Sequence, residues 1–282
     1  MNSAENTGYT IVFLGTAAAI RVPSFHCTCS TCEAARKDTT LQRTRASVAI
    51  LGKETILIDA GPDVEFQLER ESIRHIDRIF LTHWHYDHCW GLAAFPEPST
   101  HGTWGKTMID LYLPEESLDY FDSVLGYAKE HFILHPVNPG DSIQLPDGKY
   151  DVLKTNHTKD SVGYILKYKN HQKIAYLPDS GIPPPVTIKK LQEEEVDILM
   201  LDGTVDRLNL PDGEKWYACF EIEEAIDFWQ NLKSPTCIIT HLSCHSWNID
   251  RLEAGITEKD RKTYEENHPG LKFAYDGLKI KF

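Results

Sequence analysis

The 282-residue sequence has no long apolar run and no recognisable targeting segment. A membrane-spanning helix needs ~20 consecutive apolar residues, and no stretch of the chain approaches that length. Residues 1–8 are polar and lack the apolar centre of a secretory signal. These absences predict a soluble, cytoplasmic protein that has no membrane partner.

Basic residues are scarce as well. Lysine and arginine total 29 against 42 aspartates and glutamates, which gives a formal net charge of −13. Proteins that bind long nucleic acids usually neutralise several phosphates with lysine and arginine. This chain has no run of such residues, so we expect no extended nucleic acid as a partner. A local basic pocket for one small phosphate is still compatible with the composition.

Strands and helices follow one another along the chain without a repeat or a linker. Apolar runs and turn residues predict strands at 9–14, 46–51, 55–58, 78–82, 143–145, 150–155, 163–168, 173–177, 198–201 and 237–240. Helical spacing predicts helices at 115–131, 188–195 and 222–232, with a long polar loop at 93–110. The dipeptide Asp276-Gly277 predicts a closing hairpin of 273–274 and 278–282. The pattern favours one compact αββα domain of the α+β class over residues 1–282.

The densest metal-binding pattern is the His-Trp-His-Tyr-Asp-His run at residues 83–88. A catalytic metal needs several nitrogen or oxygen ligands and an open position for water. In an extended loop residues i and i+2 point the same way, so His83 and His85 can share one ion. Asp87 and His88 then hold a second, and two such metals can share a bridging hydroxide that attacks at neutral pH. The alternative is that these are ordinary surface histidines beside a strand. Three histidines and one aspartate would rarely fall in so short a window by chance.

Four more polar residues each lie at or just past the end of an apolar strand: Asp59, His157, Asp179 and His241. A carboxylate such as that of Asp179 can bridge two cations, whereas Asp59 is better suited to orient a ligand histidine. Each residue alone is an ordinary polar strand end. Their shared position predicts that one sheet edge gathers them.

Three of the seven cysteines lie close together, at Cys27, Cys29 and Cys32. In a reducing compartment such a cluster is more often a metal site than a disulfide framework. Three thiolates hold zinc when a fourth ligand joins them, and Cys244 or His245 can supply it. We expect a structural zinc in a loop at about 24–36 that pins this loop to the one carrying His241. A redox pair or an unused cluster is the alternative.

The order of these residues resembles the metallo-β-lactamase superfamily, whose His-x-His-x-Asp-His motif the run at 83–88 matches at every ligand position. The resemblance implies a four-layer αββα sandwich with two metals at the sheet edge. It implies one metal on His83, His85 and His157, and a second on Asp87, His88 and His241, with Asp179 bridging. Histidine rather than glutamate at position 85 tells against the di-iron flavoprotein branch.

Further motifs narrow the resemblance to the phosphoribosyl 1,2-cyclic phosphate phosphodiesterases, and the pyrroloquinoline-quinone biosynthesis B proteins share the cysteine cluster. These motifs are Leu14-Gly15-Thr16, the cysteine cluster, Asp59-Ala60-Gly61, Asn156-His157, Pro178-Asp179-Ser180 and Ala274-Tyr275-Asp276-Gly277-Leu278. They run from residue 14 to 278, so the resemblance spans nearly the whole chain. In those phosphodiesterases the fourth structural ligand is a histidine three residues past the catalytic one, and here that position is Cys244.

One position departs from the family pattern. In those phosphodiesterases and their tRNA-processing relatives, a histidine before the helix preceding the last strand contacts the substrate phosphate. Cys219 occupies about that position here, and a thiol cannot supply the charge of an imidazolium to the transition state. We expect His245 or a residue of the 93–110 loop to take over this substrate contact.

These features predict a binuclear-metal-dependent hydrolase, foremost a phosphodiesterase of a small cyclic nucleotide or sugar phosphate. Asp87 would also accept a proton from the metal-bridging hydroxide. The expected cofactors are two divalent ions, Zn²⁺, Mn²⁺ or Fe²⁺, and one structural zinc. The alternatives are hydrolysis of a thioester, lactone or lactam, and a non-catalytic metal-binding protein of cofactor biosynthesis. The acidic net charge and the cysteine cluster disfavour tRNA 3′-end processing. Relatives of this kind often form dimers, which suggests a homodimer.

Overall fold

Two seven-stranded β-sheets form the centre of the computed structural model, which describes residues 8–96, 108–204, 218–243 and 257–282. The strands are, in chain order, β1 (Thr10–Gly15), β2 (Ser47–Leu51), β3 (Thr55–Ile58), β4 (Arg78–Phe80), β5 (Ile109–Pro114), β6 (Phe132–Val137), β7 (Ser142–Leu145), β8 (Gly148–Lys154), β9 (Val162–Tyr168), β10 (Lys173–Leu177), β11 (Ile198–Gly203), β12 (Thr236–Leu242), β13 (Leu271–Phe273) and β14 (Lys279–Lys281). The helices in these ranges fall short of the length and apolar character that crossing a membrane requires.

Each sheet combines parallel and antiparallel strands. The first has the order β14-β1-β2-β3-β4-β5-β6, in which β3 to β6 are parallel. The second has the order β13-β12-β11-β10-β9-β8-β7, in which β10 to β13 are parallel. Strand β8 runs in the direction of β10, because β9 is antiparallel to both. The carboxyl ends of these strands therefore meet at one edge of each sheet, where open α/β sheets usually bind ligands.

The central strands are buried on both faces, as β1 illustrates. Because successive side chains point to opposite faces, Ile11 and Phe13 enter the core between the sheets while Val12 and Leu14 face the outer layer. All four side chains are fully buried. This double burial explains why the sequence of β1 is a continuous apolar run rather than an alternating one.

Helices cover the outer face of both sheets. The α-helices of the described residues are α1 (Ser30–Lys37), α2 (Val64–Arg70), α3 (Tyr86–Cys89), α4 (Leu118–Leu125), α5 (Pro185–Glu194), α6 (Ile222–Leu232) and α7 (Glu258–Asn267). Val64 of α2 and Phe121 of α4 pack on the first sheet, whereas Leu191 of α5 and Trp229 of α6 pack on the second. The predicted four-layer αββα sandwich is confirmed.

Several short elements differ from the sequence prediction. The helix expected at 115–131 is regular only over α4, because 3₁₀ turns at Glu115–Ser117 and Gly126–His131 flank it. The polar loop predicted at 93–110 lies mostly outside the described residues, and its last two positions already belong to β5. Helices α1, α2, α3 and α7 and strands β5 and β6 were not predicted. The four helices are only four to ten residues long, which leaves little room for a periodic signal.

The predicted closing hairpin is wrong. Strand β13 pairs with β12 in the second sheet, and β14 pairs with β1 in the first. The turn between them crosses from one sheet to the other and is held by the side chain of Asp276. This carboxylate accepts hydrogen bonds from Thr16 Oγ1 at 2.8 Å and from Thr44 N and Oγ1 at 2.8 and 2.6 Å. Arg70 Nη1 lies 3.2 Å away, and Gly277 takes a φ of +87° that suits glycine.

We predict that Asp276→Ala destabilises the fold, since it leaves the donors of Thr16 and Thr44 without their acceptor. The expected loss in free energy of unfolding is about 1–3 kcal/mol, measured by urea denaturation. Asp119→Ala, which removes an exposed carboxylate of α4, should change the value by less than about 0.5 kcal/mol. Equal effects of the two variants would show that Asp276 does not join the sheets.

Candidate metal centre

The polar residues predicted from strand ends do meet at the facing edges of the two sheets. In the first sheet Asp59 directly follows β3, and residues 83–88 follow β4. In the second sheet His157 follows β8, Asp179 follows β10, and His241 lies at the end of β12. The sheets thus bring together side chains that are far apart in sequence.

The histidine run is only partly the extended loop that we predicted. His83 and His85 precede α3, and His85 is its N-cap residue in the extended conformation. Their rings lie 4.5 Å apart between centroids, as the i and i+2 spacing predicts. Asp87 and His88 belong to the single turn of α3, which turns their side chains toward the second sheet.

The first cluster contains His83, His85, His157 and Asp179. His157 Nε2 lies 3.0 Å from His85 Nδ1 and 3.2 Å from Asp179 Oδ2. His83 Nε2 lies 3.5 Å from the same carboxylate oxygen. Three imidazole nitrogens and one oxygen thus converge on a common point, which is the arrangement of a metal site.

The second cluster contains Asp87, His88, His241 and again Asp179. His88 Nε2 lies 3.3 Å from Asp87 Oδ2 and 3.5 Å from Asp179 Oδ2. His241 Nε2 lies 3.7 Å from each of these oxygens. Asp179 Oδ2 is therefore common to both clusters.

Neighbouring groups turn the ligand histidines toward the centre. Asp59 Oδ2 lies 2.8 Å from His88 Nδ1, and Asp202 Oδ1 lies 3.1 Å from His241 Nδ1. Because the Nδ1 atom is engaged, Nε2 faces the cluster. The orienting role predicted for Asp59 agrees with this contact. Asp202 was not predicted, although it also ends an apolar strand and was a detectable signal for that reason.

A second carboxylate that we did not predict, that of Asp160, connects two loops that carry site residues. Asp160 Oδ2 accepts hydrogen bonds from Trp84 N at 3.3 Å and from Ser117 Oγ at 2.7 Å. Its other oxygen accepts from Thr158 Oγ1 at 2.6 Å. Asp160 therefore joins the loop of His83 to the loop of His157. Its sequence context resembles any polar turn, so no local pattern could have identified it.

The donor set fits divalent metal ions. The Nε2 atoms of His83, His88 and His241 are buried and have no hydrogen-bond partner among the described residues. A buried polar atom normally has a partner, so three convergent exceptions need an explanation. Imidazole nitrogens and carboxylate oxygens are ligands of Zn²⁺, Mn²⁺ and Fe²⁺, and a bound ion would satisfy all three nitrogens.

The buried charges of the site interact strongly: burial opposes protonation of His88 and His241, but the carboxylates around them raise the pKa of His88 well above its usual value and the pKa of His241 to about 10. Burial opposes ionisation of Asp179, but His241 and His83 hold the pKa of this carboxyl well below its usual range. Burial likewise opposes ionisation of Asp87, but His88 and His241 outweigh this effect. They lower the pKa of the Asp87 carboxyl far below its usual range. Burial, together with His88, lowers the pKa of His83 to about 4. Both carboxylates are therefore ionised and His83 is neutral at pH 7, which are the forms that bind metals, whereas His88 and His241 release a proton when a metal binds.

Three site residues have a left-handed backbone. The φ angles are 62° at Asp59, 47° at Asp179 and 57° at His241. Such angles are uncommon for residues other than glycine and cost of order 1–3 kcal/mol where the local structure is strained. Each of these residues lies at the end of a strand, where its side chain turns toward the centre. Packing on both sheets maintains the unusual backbone angles.

The cysteine cluster is also assembled. The Sγ atoms of Cys27, Cys29 and Cys32 all lie within 4.8 Å of one another. Cys29 caps α1 by accepting a hydrogen bond from Cys32 N at 3.4 Å, and burial raises the pKa of its thiol to about 11. The predicted fourth ligand, Cys244 or His245, lies outside the described residues. The structural zinc therefore stays a prediction.

Cys219 lies behind the metal centre and is only 7% exposed. Its Sγ donates a hydrogen bond to Asp179 Oδ1 at 3.1 Å. Burial, Asp202 and Asp179 raise the pKa of this thiol far above its usual value. A substrate contact of Cys219, which its position in the family pattern implies, stays a prediction, and so does that of His245 outside the described residues.

A protein-family model described as the beta-lactamase superfamily domain matches residues 54–242. Ribonuclease Z of Pyrococcus horikoshii is 28% identical over 187 residues, a match that covers 62% of this chain and 60% of the relative. Coenzyme PQQ synthesis protein B of Methylobacterium radiotolerans is 34% identical over 225 residues, covering 69% of this chain and 73% of the relative. The chain thus spans only about three fifths of the ribonuclease Z relatives.

Solved structures share the same architecture over nearly the full chain. A diphosphatase from the PhnP family has a TM-score of 0.79 at 25% identity, covering 98% of this chain and 97% of that one. Zn²⁺-bound PqqB from Methylobacterium extorquens has a TM-score of 0.79 at 18% identity, covering 96% and 99%. The short form of human tRNase Z has a TM-score of 0.68 at 19% identity, covering 96% and 98%. The last two likenesses concern the fold alone.

We predict that Asp59→Asn weakens divalent-metal binding about 10- to 100-fold, because it removes the charged acceptor that orients His88. Competition with a fluorescent chelator, with Mn²⁺ as the ion, measures the affinity. Asp119→Asn, an exposed change in α4, should leave it unchanged. An unaltered affinity in Asp59→Asn would contradict the orienting role.

Proposed function

The chain belongs to the metallo-β-lactamase superfamily, and from that membership we propose that it is a binuclear-metal-dependent hydrolase of a small phosphodiester. We propose a cyclic nucleotide or sugar phosphate as the substrate class. The observation that carries the proposal is the position of Asp179 Oδ2, which lies 3.2 to 3.7 Å from four imidazole nitrogens of both clusters. An oxygen shared in this way can bridge two cations.

We assign one divalent ion to each cluster, with Zn²⁺, Mn²⁺ and Fe²⁺ all suited to the donors. Ions at such a site polarise a phosphoryl oxygen and lower the pKa of a water molecule. His85 and Tyr86 are exposed, unlike the neighbouring ligands, so substrate reaches the centre from their side. Asp87 is the proposed proton acceptor, and Asp59 and Asp202 keep His88 and His241 in their orientation.

Two relatives support chemistry at phosphorus, since ribonuclease and diphosphatase are both names of activities on phosphate bonds. The diphosphatase matches nearly the whole chain at 25% identity. The ribonuclease Z relatives weigh against our expectation that extended nucleic acid is not a substrate. Cleavage of RNA is therefore the second candidate function, and the net charge of −13 opposes it.

A third candidate is a role in cofactor synthesis without turnover of a diester. The 34% identity to coenzyme PQQ synthesis protein B favours it. Hydrolysis of a thioester, lactone or lactam is compatible with the same ligands but has no specific observation in its favour. The candidates differ in their substrates and not in their metal ligands, so only an assay separates them.

The shared oxygen predicts how metal is lost. In Asp179→Ala both clusters should lose their ions together, whereas His241→Ala should empty only the second cluster, because His241 is not part of the first. Elemental analysis after loading with Mn²⁺ and gel filtration counts the bound ions. Asp151→Ala, which removes a buried carboxylate paired with Lys167, serves as the control and should keep the full content. Loss of a single ion in Asp179→Ala would argue against a bridging carboxylate.

We predict that the Mn²⁺-loaded protein hydrolyses bis-p-nitrophenyl phosphate and that Asp87→Asn lowers kcat by at least about 100-fold, because general-base catalysis contributes about that much. Release of p-nitrophenol measures the rate. The same protein is assayed with p-nitrophenyl acetate and with a single-stranded RNA. Exclusive cleavage of the acetate or of the RNA would overturn the small phosphodiester as substrate, and no cleavage of any would favour the non-catalytic role.

A further inference from the structure

The segment immediately before α6 holds ligands of both clusters through its backbone. Ala218 O accepts a hydrogen bond from His157 Nδ1 at 3.0 Å, and His157 belongs to the first cluster. Phe220 N donates to Asp202 Oδ2 at 3.1 Å. The other oxygen of Asp202 lies 3.1 Å from Nδ1 of His241, which belongs to the second cluster. One stretch of chain therefore orients a ligand on each side of the centre.

Between these two contacts lies Cys219, whose side chain reaches the carboxylate that the clusters share. Cys219 Sγ is 3.1 Å from Asp179 Oδ1, the oxygen that does not face the four imidazoles. A carboxylate oxygen can only accept, so the thiol is the donor in this pair. Without this donor Oδ1 would be free to turn toward one of the clusters. Oδ2 would then no longer lie between the imidazoles of the two clusters.

The segment is itself anchored in the core. The Phe220 side chain is fully buried in the apolar layer between the second sheet and α6. Its ring centroid lies 5.3 Å from that of Phe228 on α6. Movement of Cys219 away from Asp179 would have to disturb this packing, so the thiol is held at a fixed position.

We propose that Cys219 is a positioning residue that fixes the Asp179 carboxylate, so that a single oxygen serves both metal clusters. The inference rests on the two-metal site of the proposed function. It gives Cys219 a role that differs from the substrate contact expected at its position in the sequence. A positioning residue alters metal affinity in the absence of substrate, whereas a substrate contact alters kcat or KM and leaves metal affinity unchanged.

Binding of Mn²⁺ is the test, because this ion prefers nitrogen and oxygen ligands and so avoids the thiolates of the cysteine cluster. Electron paramagnetic resonance of free Mn²⁺ gives the affinity. Cys219→Ala should weaken binding about 10- to 100-fold, as loss of an orienting partner typically does. Cys219→Ser restores a donor and should recover most of the affinity. Cys237→Ala removes a buried thiol remote from the centre, in the outer core of the second sheet, and should change nothing.

Unchanged affinity in Cys219→Ala overturns the proposal, and so does a Cys219→Ser variant that binds as weakly as Cys219→Ala. If the alanine variant does not fold, Cys219→Val keeps the volume without the donor and answers the same question. Failure of the proposed function is a separate result. In that case the wild-type chain would bind Mn²⁺ with the predicted dependence on Cys219 and yet leave the phosphodiester intact.

Discussion

The metal centre depends on one buried charge, the Asp179 carboxylate, placed among the imidazoles of both clusters. An isolated carboxylate costs several kcal/mol to bury. Here the Nε2 atoms of His83 and His157 approach its Oδ2 from one side and those of His88 and His241 from the other. The carboxylate therefore has all four imidazole neighbours only when both sheets are in place. Assembly of the complete site for this reason depends on the packing of the two sheets against each other.

The polar network extends outward from this carboxylate until it reaches the packed core. Tyr164 is fully buried between the sheets, and its hydroxyl donates to Leu81 O at 2.5 Å, two residues before His83. Val162 lies on the same strand as Tyr164, and its N–H donates to Thr82 O at 2.8 Å. Strand β9 of the second sheet thus holds the loop that carries ligands from the first. The ring of Tyr164 also packs against that of Phe80 in β4, at 5.4 Å between centroids, next to this loop.

Sequence reasoning recovered the parts of this arrangement that local patterns encode. The run at 83–88, the apolar strands and the polar residues at their ends were sufficient for the αββα sandwich and for the set of side chains that meet. Sequence reasoning failed where a residue typical of a local turn makes a contact with residues far away in the sequence. Asp276-Gly277 is a hairpin dipeptide by composition, yet the Asp276 side chain finds its partners at Thr16 and Thr44. No local pattern contains such a contact. Asp202 is a different case, because it ends an apolar strand as Asp59 and Asp179 do, and the same pattern contained its signal.

An acidic chain proposed to cleave an anionic substrate requires a physical explanation. Asp59, Asp87, Asp179 and Asp202 are all buried in or around the centre, so the side chains of the site are themselves rich in negative charge. Surface charges more than about 10 Å away are largely screened at physiological salt, so these carboxylates matter more than the net charge of −13. Bound cations are the largest local charges in such a site and reverse its sign. Attraction of a phosphate would therefore depend on the metal ions and not on basic side chains. On this argument the acidic composition opposes contact with a long polyanion over the surface, but it does not oppose binding of one phosphodiester at the metals.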